Sequence, residues 1–589
     1  MNPKLDSKHC KEHTINNPNA RNTMIEAMEE LDILDVFREL HPDSQRFTWR
    51  RKNPTKMARL DYFLVSNSLF NSVNDSYVEA SYSSDHSMVI ISIKLQEFKK
   101  GKGLWKFNNS LLHNKEYVEL VKKTISNIKQ QYAIPQHEAN ISEHISDKEI
   151  CFNINDQLFL EVLLMEIRGQ SISFSSHLKK SKNNREVELS DIIQELEEQE
   201  ALADSQDLEN AKKELEAIRL DKLKGAMIRS KAKWIEEGEK PSSYFCNLEK
   251  RNYVNKIIHR IEQDDGHTIT CQEEILKGVC DYYEELYKSK NTDGNTREWE
   301  NDDIFKDVNK LSQEESQLLD GEITYSEATD TMKHMNNDTS PGSDGFTTEF
   351  LKFFWKDLGQ FVLRSLNYAY ANGELSITQK QGVIVCLPKP NKPKQYLKNW
   401  RPISLLNTIY KLGSGCIANR IKLVLPKLIK GDQTGFIPGR NISENTRIIY
   451  DIMHYAQVRK IPGMILLIDF EKAFDTVSWN YLFRVLRFLN FGQGIQKWVK
   501  TFYTNIKTTI NQGGNLSIWF SNGRGCRQGD PISPYLFLLC AEILAIKLRN
   551  NKNIQGINIG NEMFLITQFA DDTSVFLDGS KRSLETTLQ

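Results

Sequence analysis

Cysteine is scarce. Nine occur among 589 residues, none in a CxxC pair, so neither a zinc site nor a disulfide framework is expected and a reducing compartment fits better. Long apolar runs are absent too. The longest, from Tyr535 to Ala541, is far short of the roughly 20 residues that cross a bilayer, so it predicts a core helix and no membrane segment. The opening MNPKLDSKHC is too polar for a signal peptide. Net charge is also lacking: 77 Lys+Arg stand against 78 Asp+Glu, and the mean charge singles out no partner. No repeat of 20–50 residues marks a solenoid. Apolar residues make up 39% of the chain, enough for packed cores, and the length suggests roughly three or four domains.

What is present is unevenly placed. Residues 380–460 hold 15 Lys/Arg against 3 Asp/Glu, an electropositive surface candidate. Residues 291–330 hold 3 against 12 and read as a solvated acidic stretch. Near the N-terminus Phe47–Trp49, Leu60–Val65 and Met88–Ile93 read as strands. Residues 115–250 read as helix. There Leu208, Ala211, Leu215 and Ile218 repeat at amphipathic spacing, as in a coiled-coil arm or a long packed helix. Beyond Asn336 the pattern turns mixed α/β, with the turn cluster Pro341-Gly342-Ser343-Asp344-Gly345.

Chemistry concentrates in 336–578. Ile465-Leu466-Leu467-Ile468-Asp469 is an apolar strand ending in a carboxylate. Phe564-Leu565-Ile566 and Ser574-Val575-Phe576-Leu577 flank Gln568-Phe569-Ala570-Asp571-Asp572-Thr573, a hairpin with two acids at its tip. One Asp at a strand end is usually a turn residue. Three on two such strands repel unless a cation binds, and Mg²⁺ takes carboxylate and phosphate oxygens together.

Phe569-Ala570-Asp571-Asp572 resembles the F/Y-x-D-D motif of reverse transcriptases, and its companions occur in family order. They are Ser340–Gly345, Leu387-Pro388-Lys389-Pro390, Asn399–Ser404, Gly435-Phe436-Ile437-Pro438-Gly439-Arg440, Asp469–Asp475 and Arg527–Pro534. The wording is that of non-LTR (LINE-type) retrotransposons. The resemblance implies that Asp469, Asp571 and Asp572 bind Mg²⁺, or Mn²⁺ in its place, and are catalytic. It also implies that Lys389 and Arg401 face the triphosphate, that Phe470 and Gln528 contact the nucleotide, and that Phe474 gates the ribose. Asp475 and Glu471 read as structural or solvent-facing. The remaining basic residues of 380–460 suit a template–primer groove, while Trp105, Asn108 and the 99–102 lysine run are either RNA contacts or linker.

Arg59-Leu60-Asp61-Tyr62 and Ser84-Asp85-His86-Ser87 resemble the last two motifs of the apurinic-type endonuclease carried by these elements. The resemblance puts Asp61 near a scissile phosphate and pairs His86 with Asp85. The family's earlier endonuclease motifs would precede residue 1, so residues 1–95 are expected not to cleave DNA. Residues 228–245 resemble the segment between endonuclease and polymerase, with Arg229, Lys231 and Lys233 as RNA contacts or a solvated face. Residue 589 lies seventeen positions past Asp572, before any thumb.

The resulting expectation is an α+β multidomain chain. Residues 1–95 are a fragment of an endonuclease/exonuclease/phosphatase-like β-sandwich, 96–335 a mostly helical linker, and 336–589 right-hand polymerase fingers with a partial palm. Its partners would be an RNA template, a DNA primer or target and dNTPs, with no membrane. It would act in a cytoplasmic ribonucleoprotein and the nucleus. A catalytically dead nucleic-acid-binding remnant, or a related maturase or RNA polymerase, stays open, as does the oligomeric state.

Overall fold

The computed structural model describes residues 3–8, 18–51, 56–70, 72–79, 85–93, 101–134, 150–198, 206–230, 257–262, 266–289, 303–306 and 308–588. It divides into two compact units, residues 1–100 with 174–255, and 101–173 with 256–589. The expected 96–335 linker is thus shared between them. The physical reason lies in its apolar stripes, each of which finds a core within a different unit.

In the first unit, residues 3–93 form three small separate sheets. Met88–Ile93 pairs with Val73–Glu79 as a strand, as expected. The other two expected strands are shorter and shifted. Trp49–Arg51 and Leu64–Ser66 are extended, whereas the 60–61 backbone leaves the ladder. Its N–H groups donate instead to the Thr48 hydroxyl, at 2.8 Å for Leu60 and 3.0 Å for Asp61. Arg59 is buried between two carboxylates, donating from Nε to Asp6 (2.9 Å) and from Nη1 to Asp35 (3.0 Å). The latter half of the helix Asp156–Glu198 packs against Gln206–Ser230. Leu208, Ala211 and Leu215 meet Leu189 and Ile193, so the amphipathic stripe builds a helical pair.

In the second unit, strands β1 (Gln381–Pro388), β2 (Trp400–Leu406), β3 (Met464–Ile468), β4 (Lys507–Gln512), β5 (Ile566–Phe569) and β6 (Asp572–Leu577) carry the candidate site. β1 pairs antiparallel with β2 and parallel with β4. β3, β6 and β5, in that order, form an antiparallel three-stranded sheet. Among the helices of this unit are α1 (Gln272–Tyr287), α2 (Trp355–Asn372), α3 (Thr408–Leu428), α4 (Ile442–Arg459) and α5 (Ser533–Asn550).

The three-stranded sheet is apolar on both faces because helices cover both. Val575 and Leu577, with Met464, Leu466 and Ile468, pack on Ala545 and Leu548 of α5. Phe576 and Ile465, one position out of phase, pack on Ile452 and Ile448 of α4. Burial of Leu536 to Leu539 confirms the expected core helix. α1 lies in sequence within the expected linker, yet its Ile275, Val279, Tyr283 and Tyr287 form one core with Ile384 of β1, Trp400 of β2 and Ile510 of β4.

The acidic stretch is less solvated than its composition suggests. Of it, residues 291–302 and 307 lie outside the described residues. Ser312 and Thr324 each cap a helix in a reciprocal capping box with Glu315 and Glu327. Glu327 also accepts a bidentate pair from Arg420, and Asp320 accepts the Ile495 N–H at 2.9 Å. Of the seven cysteines among the described residues, five are buried and Cys151 and Cys271 are exposed. No helix among the described residues is long and apolar enough to cross a membrane.

Candidate active site

The β3–β6 register pairs Ile468 with Thr573, so Asp469 and Asp572 meet at the same end of the ladder. Their period-two positions put them on one face. β5 and β6 close through the two-residue turn Ala570-Asp571, with Phe569 opposite Asp572. The structure therefore gathers Asp469, Asp571 and Asp572 at one sheet end. Asp469 and Asp572 are exposed and Asp571 is half-buried. Burial, most of all, pushes the Asp571 carboxyl above its ordinary range; the charges of Asp572 and Asp469 add to this, while its own backbone N–H and Arg401 oppose it. Among the described residues no three His, Cys, Asp or Glu side chains converge into a ready cradle for a cation.

Arg401 is exposed on β2 and Lys389 half-buried just past β1, where its N–H donates to the Asn399 carbonyl at 2.8 Å. Phe470 is 38% exposed beside Asp469. Phe474 is half-buried, stacked on Phe537 at 4.4 Å and edge-on to Phe436 at 6.4 Å. Of the 527–534 motif only Gln528, Gly529 and the two prolines reach the surface, and Gly529 is the exposed one. Arg527 is buried over the Tyr410 ring at 4.4 Å. Asp530 is buried too, accepting from Tyr410 Oη (2.7 Å) and Ser414 Oγ (2.6 Å). Gly529 has φ +104° and a Cβ there would stand 2.8 Å from the Ser404 carbonyl, so glycine is required.

Asp475 is wholly buried rather than solvent-facing. It accepts from Tyr287 Oη of α1 (2.7 Å) and from Gln528 Nε2 (3.0 Å), which fixes the Gln528 side chain. Burial pushes the Asp475 carboxyl up to about 6, against these bonds and Lys472. Lys472 in turn donates to the Trp400 carbonyl at 2.9 Å.

Several basic residues assigned to a nucleic-acid groove are committed elsewhere. Arg420 binds Glu327 and the carbonyls of Leu319, Gly321 and Glu322. Arg440 donates to the carbonyls of Ile429, Lys430 and Gln433, and Lys427 pairs with Glu315. Lys392, Lys394, Lys398 and Arg401 remain exposed. Trp105 is packed, edge-on to Phe346 at 5.4 Å, and the Asn108 side chain caps a 3₁₀ turn by accepting the Ser110 N–H. Lys99, Lys100, Lys231, Lys233 and the Arg229 side chain lie outside the described residues.

In the first unit the expected His86–Asp85 pair is corrected. His86 Nδ1 lies 2.9 Å from Asp61 Oδ2, whereas Asp85 accepts the Trp49 indole N–H at 3.1 Å. The bridge between Trp49 and His86 brings the imidazole across to the 59–62 segment.

Residues 387–589 match the family described as reverse transcriptase (RNA-dependent DNA polymerase). Over 568 residues, 95% of this chain, it is 28% identical to the transposon TX1 uncharacterized 149 kDa protein of Xenopus laevis. It is 28% identical over 242 residues, 41% of this chain and 22% of the relative, to the retrovirus-related Pol polyprotein from the type-2 retrotransposable element R2DM of Drosophila melanogaster. Residues 387–589 thus carry a reverse transcriptase domain, and the chain is similar to proteins named for a transposon and for retrotransposable elements. The chain spans 42% of the length of the TX1 relative.

Two residues of the reverse transcriptase domain were not legible as site residues. Asn407, buried at the end of β2, donates to the Thr378 carbonyl and accepts the Asp344 N–H at 3.3 Å. A Cβ on Gly342 would stand 2.0 Å from its Oδ1, so the 340–345 motif is a packing device around Asn407. Gln433 touches the acidic turn itself. Neither carries a compositional signal, since amides are common in loops.

Proposed function

We propose that residues 336–589 form fingers and palm elements that add dNTPs to a DNA primer on an RNA template. The observation that carries this is the meeting of Asp469, Asp571 and Asp572 at one sheet end, with Arg401 in electrostatic reach of Asp571. The three acids would hold Mg²⁺ or Mn²⁺. When bound, such ions make the primer 3′-OH a better nucleophile and neutralise charge on the transferred phosphate. Arg401 offers a planar fork and Lys389 a point charge to the triphosphate. Phe470 and the Gln528-Gly529 backbone border the nucleotide, and the Phe474 ring excludes a 2′-OH. Lys392, Lys394 and Lys398 hold the nucleic-acid backbone without reading its sequence.

Incorporation of dNTPs on an RNA template with a DNA primer in Mg²⁺ tests this. Activity lost in Asp571→Ala supports it; RNA binding without incorporation would leave a binding remnant. Target-primed reverse transcription, a cytoplasmic ribonucleoprotein and nuclear action are proposed for the whole element.

The Asp61–His86 pair favours a second reading, for the first unit alone: an endonuclease-derived piece in which a carboxylate orients an imidazole beside a phosphodiester. Supercoiled plasmid nicked by the full chain in Mg²⁺, and not by His86→Ala, would show that the cleavage chemistry survives. No nicking by either leaves the pair a relic.

A further inference from the structure

Gln433 lies between α3 and α4, outside every role assigned above, and its side chain is 1% exposed. Its Oε1 accepts the N–H of Ala570 at 2.9 Å and that of Gly435 at 2.9 Å. Its Nε2 donates to the Ala570 carbonyl at 3.1 Å. One primary amide thus satisfies both backbone groups of Ala570, as a neighbouring strand would. Ala570 needs the help: its φ is +57°, left-handed backbone that an L side chain adopts at a cost, and it immediately precedes Asp571.

The surrounding loop is pinned to β5. Gln568 donates its N–H to the Asp432 carbonyl (2.7 Å), and the Thr434 N–H donates to the Gln568 carbonyl (2.9 Å). Asn445 of α4 donates to Thr567 Oγ1 (2.8 Å) and to the Gln568 carbonyl (2.7 Å). Arg549 of α5 holds the Asp432 carboxylate. Gly435 permits the approach, since a Cβ there would stand 2.4 Å from the Ala570 nitrogen. These bonds hold β5 and its turn into β6, and none of them engages the carboxylate of Asp469, Asp571 or Asp572.

We propose that Gln433 is the positioning residue of the acidic turn. By holding Ala570 left-handed it sets where Asp571 and Asp572 stand relative to Asp469. This rests on the polymerase reading for its consequence in catalysis. The geometry of the clamp stands apart from it.

The test uses the full chain as wild type, Asp571→Ala, Gln433→Ala, Gln433→Glu and Gln433→Ala with Ala570→Gly. Mn²⁺ binding is read by the EPR signal of the free ion, and amide exchange is read at Ala570. Gln433→Ala should weaken Mn²⁺ binding about tenfold, speed Ala570 exchange, and lower kcat by about 10- to 100-fold with KM for dNTP little changed. Gln433→Glu keeps the acceptor and loses the donor, so it should fall between. Glycine accepts the left-handed turn without a clamp, so Ala570→Gly should recover most of the Mn²⁺ binding lost in Gln433→Ala. General loosening of the fold would not be repaired that way. Unchanged Mn²⁺ binding in Gln433→Ala, or no recovery in the double variant, would overturn the proposal. A wild type that binds Mn²⁺ but incorporates no dNTP would sink the polymerase reading and leave the clamp standing. A wild type that binds no Mn²⁺ would remove the positioning role, whatever Ala570 exchange shows.

Discussion

The Asp344 carboxyl is buried and pushed up to about 7, by burial first, with Glu161 adding and the Phe346 N–H opposing. Its proton is retained on folding at pH values where the unfolded chain has released it. Stability therefore falls as pH rises from about 4 to about 7, by at most about 1.4 kcal/mol for each pH step of one, and levels off above that. Asp344→Asn should remove this share of the slope. Urea midpoints from pH 4 to 8 check it: the variant's curve should be flatter up to pH 7 and parallel beyond. Beside it, Gly345 has φ +82°, and a Cβ would stand 2.3 Å from the Trp105 carbonyl. Gly345→Ala should cost about 3 kcal/mol from strain and clash together. A midpoint shift equal to that of an ordinary surface substitution would refute the packing role.

At the scale of elements, helices and short connections decide which charges are free. Arg420 ties α3 to the helix Tyr325–His334, so Arg420→Ala should lower stability by about 3 kcal/mol, because it strands Glu327 and three carbonyls. It should leave the salt dependence of RNA binding unchanged. The opposite is expected of Lys392→Ser with Lys394→Ser and Lys398→Ser, in the exposed connection from β1 to β2. Stability should hold, while the slope of log affinity against log salt flattens by about 0.7 for each lost phosphate contact on single-stranded RNA. Binding isotherms at several salt concentrations separate the two. The sequence marks both sets simply as basic residues of one electropositive stretch. Partners distant in the chain divide them.

For the whole molecule, each compact unit has its own buried anchors, so chemical unfolding is expected in more than one transition. Arg59→Met takes from Asp35 its buried guanidinium and leaves Asp6 with Arg38, and should move one transition by about 3 kcal/mol. Gly345→Ala should move a different one. Circular dichroism and tryptophan fluorescence followed along one urea titration would show it. A single transition shifted alike by both substitutions would contradict separate cores.

Much of the reverse transcriptase domain was legible in the chain itself. An apolar strand ending at Asp469 and a hairpin tipped by Asp571 and Asp572 follow from period-two patterning and turn chemistry, both local. Local patterning also marked the amphipathic stripe of 208–218 and the core helix of 535–541. Tertiary structure alone decided the rest. It turned His86 to Asp61, buried Asp475 against Tyr287, drew α1 out of a supposed linker, and set Gln433 on Ala570. Each of these depends on what meets a side chain from tens or hundreds of residues away. Periodicity reports which face of an element is apolar, whereas the fold determines which polar atoms are left facing one another inside it.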